Sequence, residues 1–288
     1  MKPFPLDRLP RRSDWTGYLL DPTRDPPGDL EAYTDIAVYD GIYEQVLDRY
    51  REEDFDREEF VLEIRGAGRE DPGVISIEED LFLASSAELV AREREVVRDA
   101  LAPVLDGGET VLALGCGWGA NLGVIAEEFP DVTVIGGEIA EYGVTASREL
   151  HADDPRISVE PFDFHGEWEL FDEHDDIAVF TRGALTTLDG PGPVIDRLAD
   201  RAREGELLGG VHLEQSGPHP EDTILGLLRR RYADVRGFDI DLLPTLRERP
   251  DVSVSHVAYD VVGANPLHPQ TAIRWRSASS RKRTGLQS

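Results

Sequence analysis

Apolar residues recur along the chain with two periods, and the change from one to the other separates a helical front third from an alternating remainder. Between about residues 30 and 50, Ile36, Tyr39, Tyr43, Val46, Leu47 and Tyr50 stand three and four apart, the spacing of one helical face. That face is either core-facing or a lid over a pocket, with Asp40-Gly41 as a point of interruption. A second helix is expected after Ser85, where Ser85 and Glu88 have capping-box spacing. It runs through Leu89, Val90, Val96, Val97, Ala100 and Leu101, until Pro103 and Gly107-Gly108 end it. Thereafter apolar runs at 110–114, 132–135, 157–162, 177–180 and 207–213 alternate with helical patterns near 120–129, 140–151 and 192–203. Such alternation implies a parallel sheet with right-handed crossovers and helices on both faces.

The two ends of the chain read differently. Residues 1 to about 28 are rich in proline and charge, which predicts an extended arm ordered only by packing, with Trp15, Tyr18, Leu19 and Leu20 as anchors. After a helix near 223–232, the extended stretches 252–261 and 271–275 flank the turn-rich Gly263-Ala-Asn-Pro-Leu-His-Pro269. That link is too short for a helical crossover, so the last pair is expected to be antiparallel. The fold class is therefore α/β: a mostly parallel sheet with a C-terminal antiparallel strand, plus an N-terminal helical extension. The expected division is an arm and helical cap at 1–105, an α/β domain at 106–276 and a basic tail at 277–288.

Candidate chemistry begins at Val111-Leu-Ala-Leu-Gly-Cys-Gly-Trp-Gly-Ala-Asn121, where an apolar strand runs into alternating glycines. Gly115, Gly117 and Gly119 lack a Cβ, so the loop can take positive φ and bring its N–H groups close to a ligand, with a helix N-terminus behind it. Gly115, Gly117 and Ala120 can also be fitted to a dinucleotide pattern. The second strand ends at Gly136-Gly137-Glu138, where an acid can accept from both ribose hydroxyls of either cofactor type. The third ends at Asp163-Phe164.

With these motifs in that order, residues from about 110 to 275 resemble the class I S-adenosylmethionine-dependent methyltransferases, whose first motif is similar to Leu114-Gly-Cys-Gly-Trp-Gly119. The resemblance implies a Rossmann-like methyltransferase sheet and S-adenosylmethionine as cofactor. It also implies that Asp163 holds the adenine amino group, that Phe164 flanks the ring, and that Thr181-Arg182 faces the methionine part. The implied activity is methyl transfer to a small-molecule acceptor, with O-methylation as the leading form. An RNA or protein methyltransferase is the alternative. An NAD-type Rossmann dehydrogenase and a non-catalytic cofactor-binding protein are rivals of another class.

Composition changes this picture in one respect. The formal net charge is -28 and the only lysines are Lys2 and Lys282, a surface whose carboxylates repel one another unless salt screens them. Adaptation to high salt, a halophilic character, is the expectation. Acidity argues against nucleic-acid partners, and the one basic cluster, Arg274, Arg276, Arg281, Lys282 and Arg283, reads as a solvated tail. The single cysteine, Cys116, excludes an intramolecular disulfide and fits a reducing cytoplasm. No run approaches a membrane span. Arg11-Arg12 resembles a twin-arginine signal, but polar residues follow it, so no targeting signal is read.

A general base is optional for methyl transfer, though hydroxyl acceptors often need one. His212 and Glu214 alternate at the end of the fifth strand, share a face, and are expected to point into the crevice. His165 is a second candidate and His268 a third. Phe180-Thr-Arg-Gly183 stands where amide N-methyltransferases usually carry a Pro-Pro tetrapeptide, and no Pro-Cys occurs for cytosine C5 chemistry. No cysteine or histidine spacing suggests a metal site.

Overall fold

Val111 and Ala113 pack into one layer of helices while Leu112 and Leu114 pack into the other. A strand with both faces covered reads as a continuous apolar run, so this segment nucleates the centre of a sheet. The computed structural model describes residues 1–21, 23–28, 30, 35–53, 55–238 and 241–278. In chain order the elements are β1 (Lys2–Pro3), α1 (Asp14–Leu20), α2 (Ile36–Glu52), α3 (Arg57–Gly66), β2 (Gly73–Ile77), β3 (Asp80–Ala84) and α4 (Ser86–Leu101). There follow β4 (Thr110–Leu114), α5 (Ala120–Glu128), β5 (Thr133–Glu138), α6 (Glu141–Leu150), β6 (Ile157–Pro161), β7 (Ile177–Arg182), α7 (Gly192–Glu204) and β8 (Leu207–Glu214). The chain ends with α8 (Ile224–Arg236), α9 (Leu242–Glu248), β9 (Val252–Val262) and β10 (Gln270–Ser277).

The large sheet has seven strands in the order β6-β5-β4-β7-β8-β10-β9. The pairs among β6, β5, β4, β7 and β8 are parallel, and β10 runs antiparallel to both β8 and β9. α4, α5 and α6 cover one face and α7 and α9 the other. Because all parallel strands run the same way, their carboxyl ends and following loops collect along one edge, with the order reversing between β4 and β7.

The front third differs from the sequence expectation in three places. The arm is not extended throughout: Leu6–Arg11 forms a 3-10 helix, and α1 starts at Ser13, whose side chain accepts from Thr16 N–H at 3.2 Å. It packs on α8 through Leu9, Leu19, Trp15 and Tyr18, whereas Leu20 is 55% exposed and anchors nothing. Asp40-Gly41 does not interrupt α2, because packing against α6 outweighs the modest helix cost of one glycine; Asp40 Oδ1 instead accepts from Tyr142 N–H at 2.9 Å. Part of the expected first helix, residues 31–34, lies outside the described residues. α3, with its Asp56–Glu59 capping box, the β2–β3 hairpin and α9 were not anticipated.

The second helix starts as read, with Ser85 and Glu88 bonding reciprocally. Arg274 and Arg276 are corrected from tail to strand, since both pair within β10 against β8 and β9. Arg281, Lys282 and Arg283 lie outside the described residues. Among the described residues, no helix is long and apolar enough to cross a membrane.

Candidate functional site

The loop after β4 has φ of 66° at Gly115, 58° at Gly117 and 86° at Gly119, a region costly to any residue with a Cβ. Space forbids one as well: a Cβ on Gly119 would lie 2.2 Å from Ser147 Oγ, and one on Gly115 would lie 2.5 Å from Ala184 Cβ. The N–H groups of Gly115 and Cys116 donate to Gly137 O at 2.7 and 3.1 Å, tying the loop to the end of β5. Glu138 completes the tie. Its carboxylate accepts from the N–H groups of Gly117 (2.7 Å), Ile139 (3.0 Å) and Ala140 (2.9 Å), and it is 5% exposed. Burial raises its pKa above the ordinary carboxylate value, while the three N–H groups pull it back. A carboxylate offers about four lone-pair positions, so acceptor capacity remains for a ligand hydroxyl.

Two cavities adjoin this loop, and a third meets both of them at Gly183. The first, of about 290 Å3, is lined by Glu138, Ile139, Asp163, Phe164, His165 and Gly115, and α2 closes it with Ile36, Tyr39 and Tyr43. Asp163 is exposed, with Oδ1 accepting from His165 N–H at 2.8 Å, while Phe164 is buried and packs edge-on against Phe162. An acid at the end of β5, an acid just beyond β6 and apolar walls between them offer acceptors to the hydroxyl and amino groups of a flat ligand.

The second cavity, of about 530 Å3, also touches Gly115 and is lined by charged as well as apolar side chains. Glu93 stands on its wall, 6% exposed, bridging Arg65 from α3 and Arg182 from the end of β7. Arg182 also donates to Asn121 Oδ1 at 2.8 Å and Gln270 Oε1 at 3.2 Å. Burial alone would raise the Glu93 pKa, but the Arg182 and Arg65 guanidiniums overcome it and hold the carboxyl below its ordinary value. The third cavity, of about 240 Å3, is walled by Tyr39, Tyr232, Phe238, His268, Asn265, Gln215, Gly183, Thr186 and Thr187.

Of the expected site residues, Gly115, Gly117, Glu138, Asp163, Phe164 and His165 line one or both of the first two cavities, and Gly119 supports the loop from behind. His212, Glu214 and Thr181 are corrected. His212 and Glu214 do share a face, but that face is covered by helices, and all three residues are 0% exposed. Trp275 Nε1, which can only donate, bonds His212 Nε2 at 2.8 Å. The imidazole proton therefore sits on Nδ1 and is donated to Thr181 Oγ1 at 2.9 Å, and the Thr181 hydroxyl donates to Glu214 Oε1 at 2.7 Å. Burial drives the His212 pKa down to about 3, keeping it neutral.

Glu214 also accepts from the N–H groups of Ala184 (3.2 Å), Leu185 (3.1 Å) and Thr186 (3.3 Å), so it holds the loop after β7 in place. The residues that reach the cavities stand one position further along each strand, Arg182-Gly183 and Gln215. Arg65 and Glu93 come from the front third, and sequence reasoning had not assigned them to the site, whereas Tyr39 and Tyr43 stand on the helical face that the sequence offered as core or lid. A signal for Glu93 was present: it is a charged residue in the apolar stripe of α4, four residues after Leu89 and three before Val96. Among the described residues no group of three or more His, Cys, Asp or Glu could hold a metal ion.

No family model and no curated protein matches the chain. The strand order, with a reversed strand inserted next to the last, decides the fold class. The sheet is Rossmann-like, with five parallel strands and a C-terminal antiparallel pair. Among solved structures the chain is similar to a methyltransferase of Anabaena variabilis that depends on S-adenosylmethionine, at 13% identity over 66% of this chain and 85% of that one, with a TM-score of 0.48. It is similar to the magnesium protoporphyrin IX methyltransferase of Synechocystis, solved with bound S-adenosylhomocysteine, at 14% identity over 66% and 86% of the two chains and a TM-score of 0.47. It is also similar to the mitomycin 7-O-methyltransferase, at 16% identity with a TM-score of 0.45. There the match covers 67% of this chain but only 56% of that enzyme.

Proposed function

We propose that the protein is an S-adenosylmethionine-dependent methyltransferase acting on a small-molecule acceptor by O-methylation. The observation that carries this reading is the pair of cavities meeting at Gly115, one with Glu138 and Asp163 at strand ends, the other with the Arg65–Glu93–Arg182 cluster. An adenosyl group fits the first and a zwitterionic amino-acid chain the second. In this reading Glu138 accepts from the ribose hydroxyls, Asp163 from the adenine amino group, and Phe164 supports the ring. Arg182, held by Glu93 and Asn121, faces the amino-acid end. Bound S-adenosylmethionine supplies a methyl group already activated on a sulfonium. The chain's work is then to hold the acceptor in line and exclude water, and Tyr39 and Tyr43 cover the site from α2. Residues 1–105 act as cap and 106–276 as the cofactor domain.

The arginines on the second cavity do not favour an RNA acceptor. Arg65 and Arg182 share Glu93, and Arg94 is bound by Glu127 and Glu128, which leaves no stripe of free cations for phosphates. The net charge of -28 points the same way and to work in high salt. Calorimetry in concentrated KCl with S-adenosylmethionine, S-adenosylhomocysteine and NAD tests the reading. Both adenosyl ligands are expected to bind, and Glu138→Ala to weaken them. Binding of NAD alone, or of none, overturns it.

A further inference from the structure

Three guanidiniums gather about the Glu93 carboxylate. Arg182 is fully committed, with its Nε on Gln270, Nη1 on Asn121 and Nη2 on Glu93, and Arg65 grips Glu93 through Nε and Nη2. Arg69, four residues after Arg65, lies within electrostatic reach of both Arg65 and Glu93: burial and Arg65 lower its pKa, and Glu93 and Asp71 offset them only in part. Among the described residues it forms no ion pair, and its one hydrogen bond runs from Nη1 to Ala264 O at 2.7 Å. In a chain of net charge -28 this half-buried cation has acids in excess to choose from and has taken none.

Arg69 also lines a groove of about 450 Å3, walled by Leu9 and Trp15 of the arm, Gly73 of β2 and Pro266 of the loop before β10. A Cβ on Gly73 would lie 3.0 Å from Arg69 Nη2, so the missing side chain leaves room for the guanidinium. Of the other charged groups on the groove, Arg12 and Glu70 pair with each other and Asp14 is exposed. Ala264 and Asn265 line both the groove and the second cavity, which itself reaches Gly183, where all three site cavities meet. A ligand spanning groove and cavity therefore has Arg69 near one end and Gly183 near the other. Bound S-adenosylmethionine sharpens the imbalance of charge, because its amino-acid end is zwitterionic and its sulfonium adds a positive charge.

We propose that the acceptor is a small organic acid whose carboxylate is held by Arg69 in this groove, with the rest of the molecule reaching along the second cavity towards Gly183. This rests on the methyltransferase reading above. The uncommitted Nε and Nη2 of Arg69 form one edge of the guanidinium, the pair that grips a carboxylate at two points. A single free cation suits one carboxylate, whereas a polyphosphate or a nucleic-acid backbone needs several. Salt that screens the acidic surface screens such a direct, half-buried contact much less, so the recognition survives the conditions that the net charge calls for.

The test uses the full chain in concentrated KCl with a panel of aliphatic and aromatic hydroxy acids, each matched by its own primary amide. Release of S-adenosylhomocysteine from S-adenosylmethionine is followed for every probe, and binding of S-adenosylhomocysteine is measured by calorimetry. Acids are expected to turn over with kcat/KM at least about 10-fold above their amides. Arg69→Gln should raise KM for the acids by at least about 10-fold while binding S-adenosylhomocysteine as the parent does, and Arg69→Lys, which keeps the charge, should recover part of the loss. The comparison of acid with amide is made on the parent chain and stands even where a variant does not fold. Acids and amides turned over alike, no acid turned over by a chain that binds the cofactor, or a parental KM in Arg69→Gln would each overturn the proposal. Failure to bind either adenosyl ligand would instead defeat the methyltransferase reading on which it rests.

Discussion

Replacing Glu214 with Gln tests whether this carboxylate is a structural brace or a proton acceptor. Its two oxygens accept from the Thr181 hydroxyl, the N–H groups of Ala184, Leu185 and Thr186, and the Thr186 hydroxyl, at 2.7–3.3 Å. An amide turns one of those oxygens into an N–H donor. Turned toward Oε1, it faces the Ala184 N–H and a Thr181 hydroxyl that can rotate; turned toward Oε2, it faces the N–H groups of both Leu185 and Thr186. Even the cheaper orientation strands one buried backbone N–H, at about 1–3 kcal/mol. For a chain of this size that lowers the unfolding midpoint by at least about 2 °C. The loop from Gly183 to Leu185 also loosens, and because Gly183 and Ala184 line the first cavity, affinity for S-adenosylhomocysteine falls with stability. Differential scanning calorimetry and ligand titration on the same sample measure both. A variant with parental midpoint and affinity but turnover reduced about 100-fold or more would refute the brace and restore Glu214 as a proton acceptor.

Glu93→Gln leaves the Arg65 and Arg182 guanidiniums without their shared carboxylate and costs on the order of 2 kcal/mol, solvent at the 34%-exposed Arg65 trimming the penalty of a fully buried broken pair. The Glu93 carboxyl is held below its unfolded value of 4.5, so its contribution is complete above that pH and is lost as pH falls through the lower folded value. The gap in melting temperature between parent and variant should stay constant in neutral buffer and close only below 4.5; a gap that closes near neutrality contradicts this. Gly119→Ala forces a Cβ against Ser147 Oγ at a φ of 86°, which costs more than about 1 kcal/mol and weakens adenosyl binding, and unchanged affinity in calorimetry would contradict the loop's role. Finally, with a net charge of -28, the unfolding midpoint should rise as KCl increases from about 0.1 M to about 1 M, over which the screening length shrinks from about 10 Å to about 3 Å. A flat or falling midpoint removes the salt adaptation.

The sheet was legible because each of its strands carries its own signal. The runs at 110–114, 132–135, 177–180 and 207–213 are mostly apolar on both faces, as strands between two helical layers must be, whereas the edge run at 157–162 exposes Ser158 and Glu160; all five coincide with β4 to β8 to within a few residues. The short link after β9 compelled the antiparallel ending for a purely geometric reason. The glycine loop and Glu138 were equally local, being a strand end and a turn whose backbone demands are written in adjacent residues. The front third was less legible. β2 and β3 form a hairpin with Glu78 and Glu79 at its tip rather than glycine, both at positive φ, so the usual turn residues were missing.

Period alone determined that His212 and Glu214 point the same way. It could not determine what lies over that face, because the Trp275 indole that bonds His212 arrives from β10, sixty-three residues away. For the same reason Gln215 rather than Glu214 reaches a cavity, and of the expected pair Thr181-Arg182 only Arg182 does. The sequence by itself determined the sheet, its glycine loop and the acid at the end of β5. Only the tertiary structure decided which face of β8 is sealed, which arginines are neutralised by Glu93, and that Tyr39, Tyr232, Phe238 and His268 enclose one cavity. Those outcomes depend on contacts between segments far apart in the chain, and no local period encodes them.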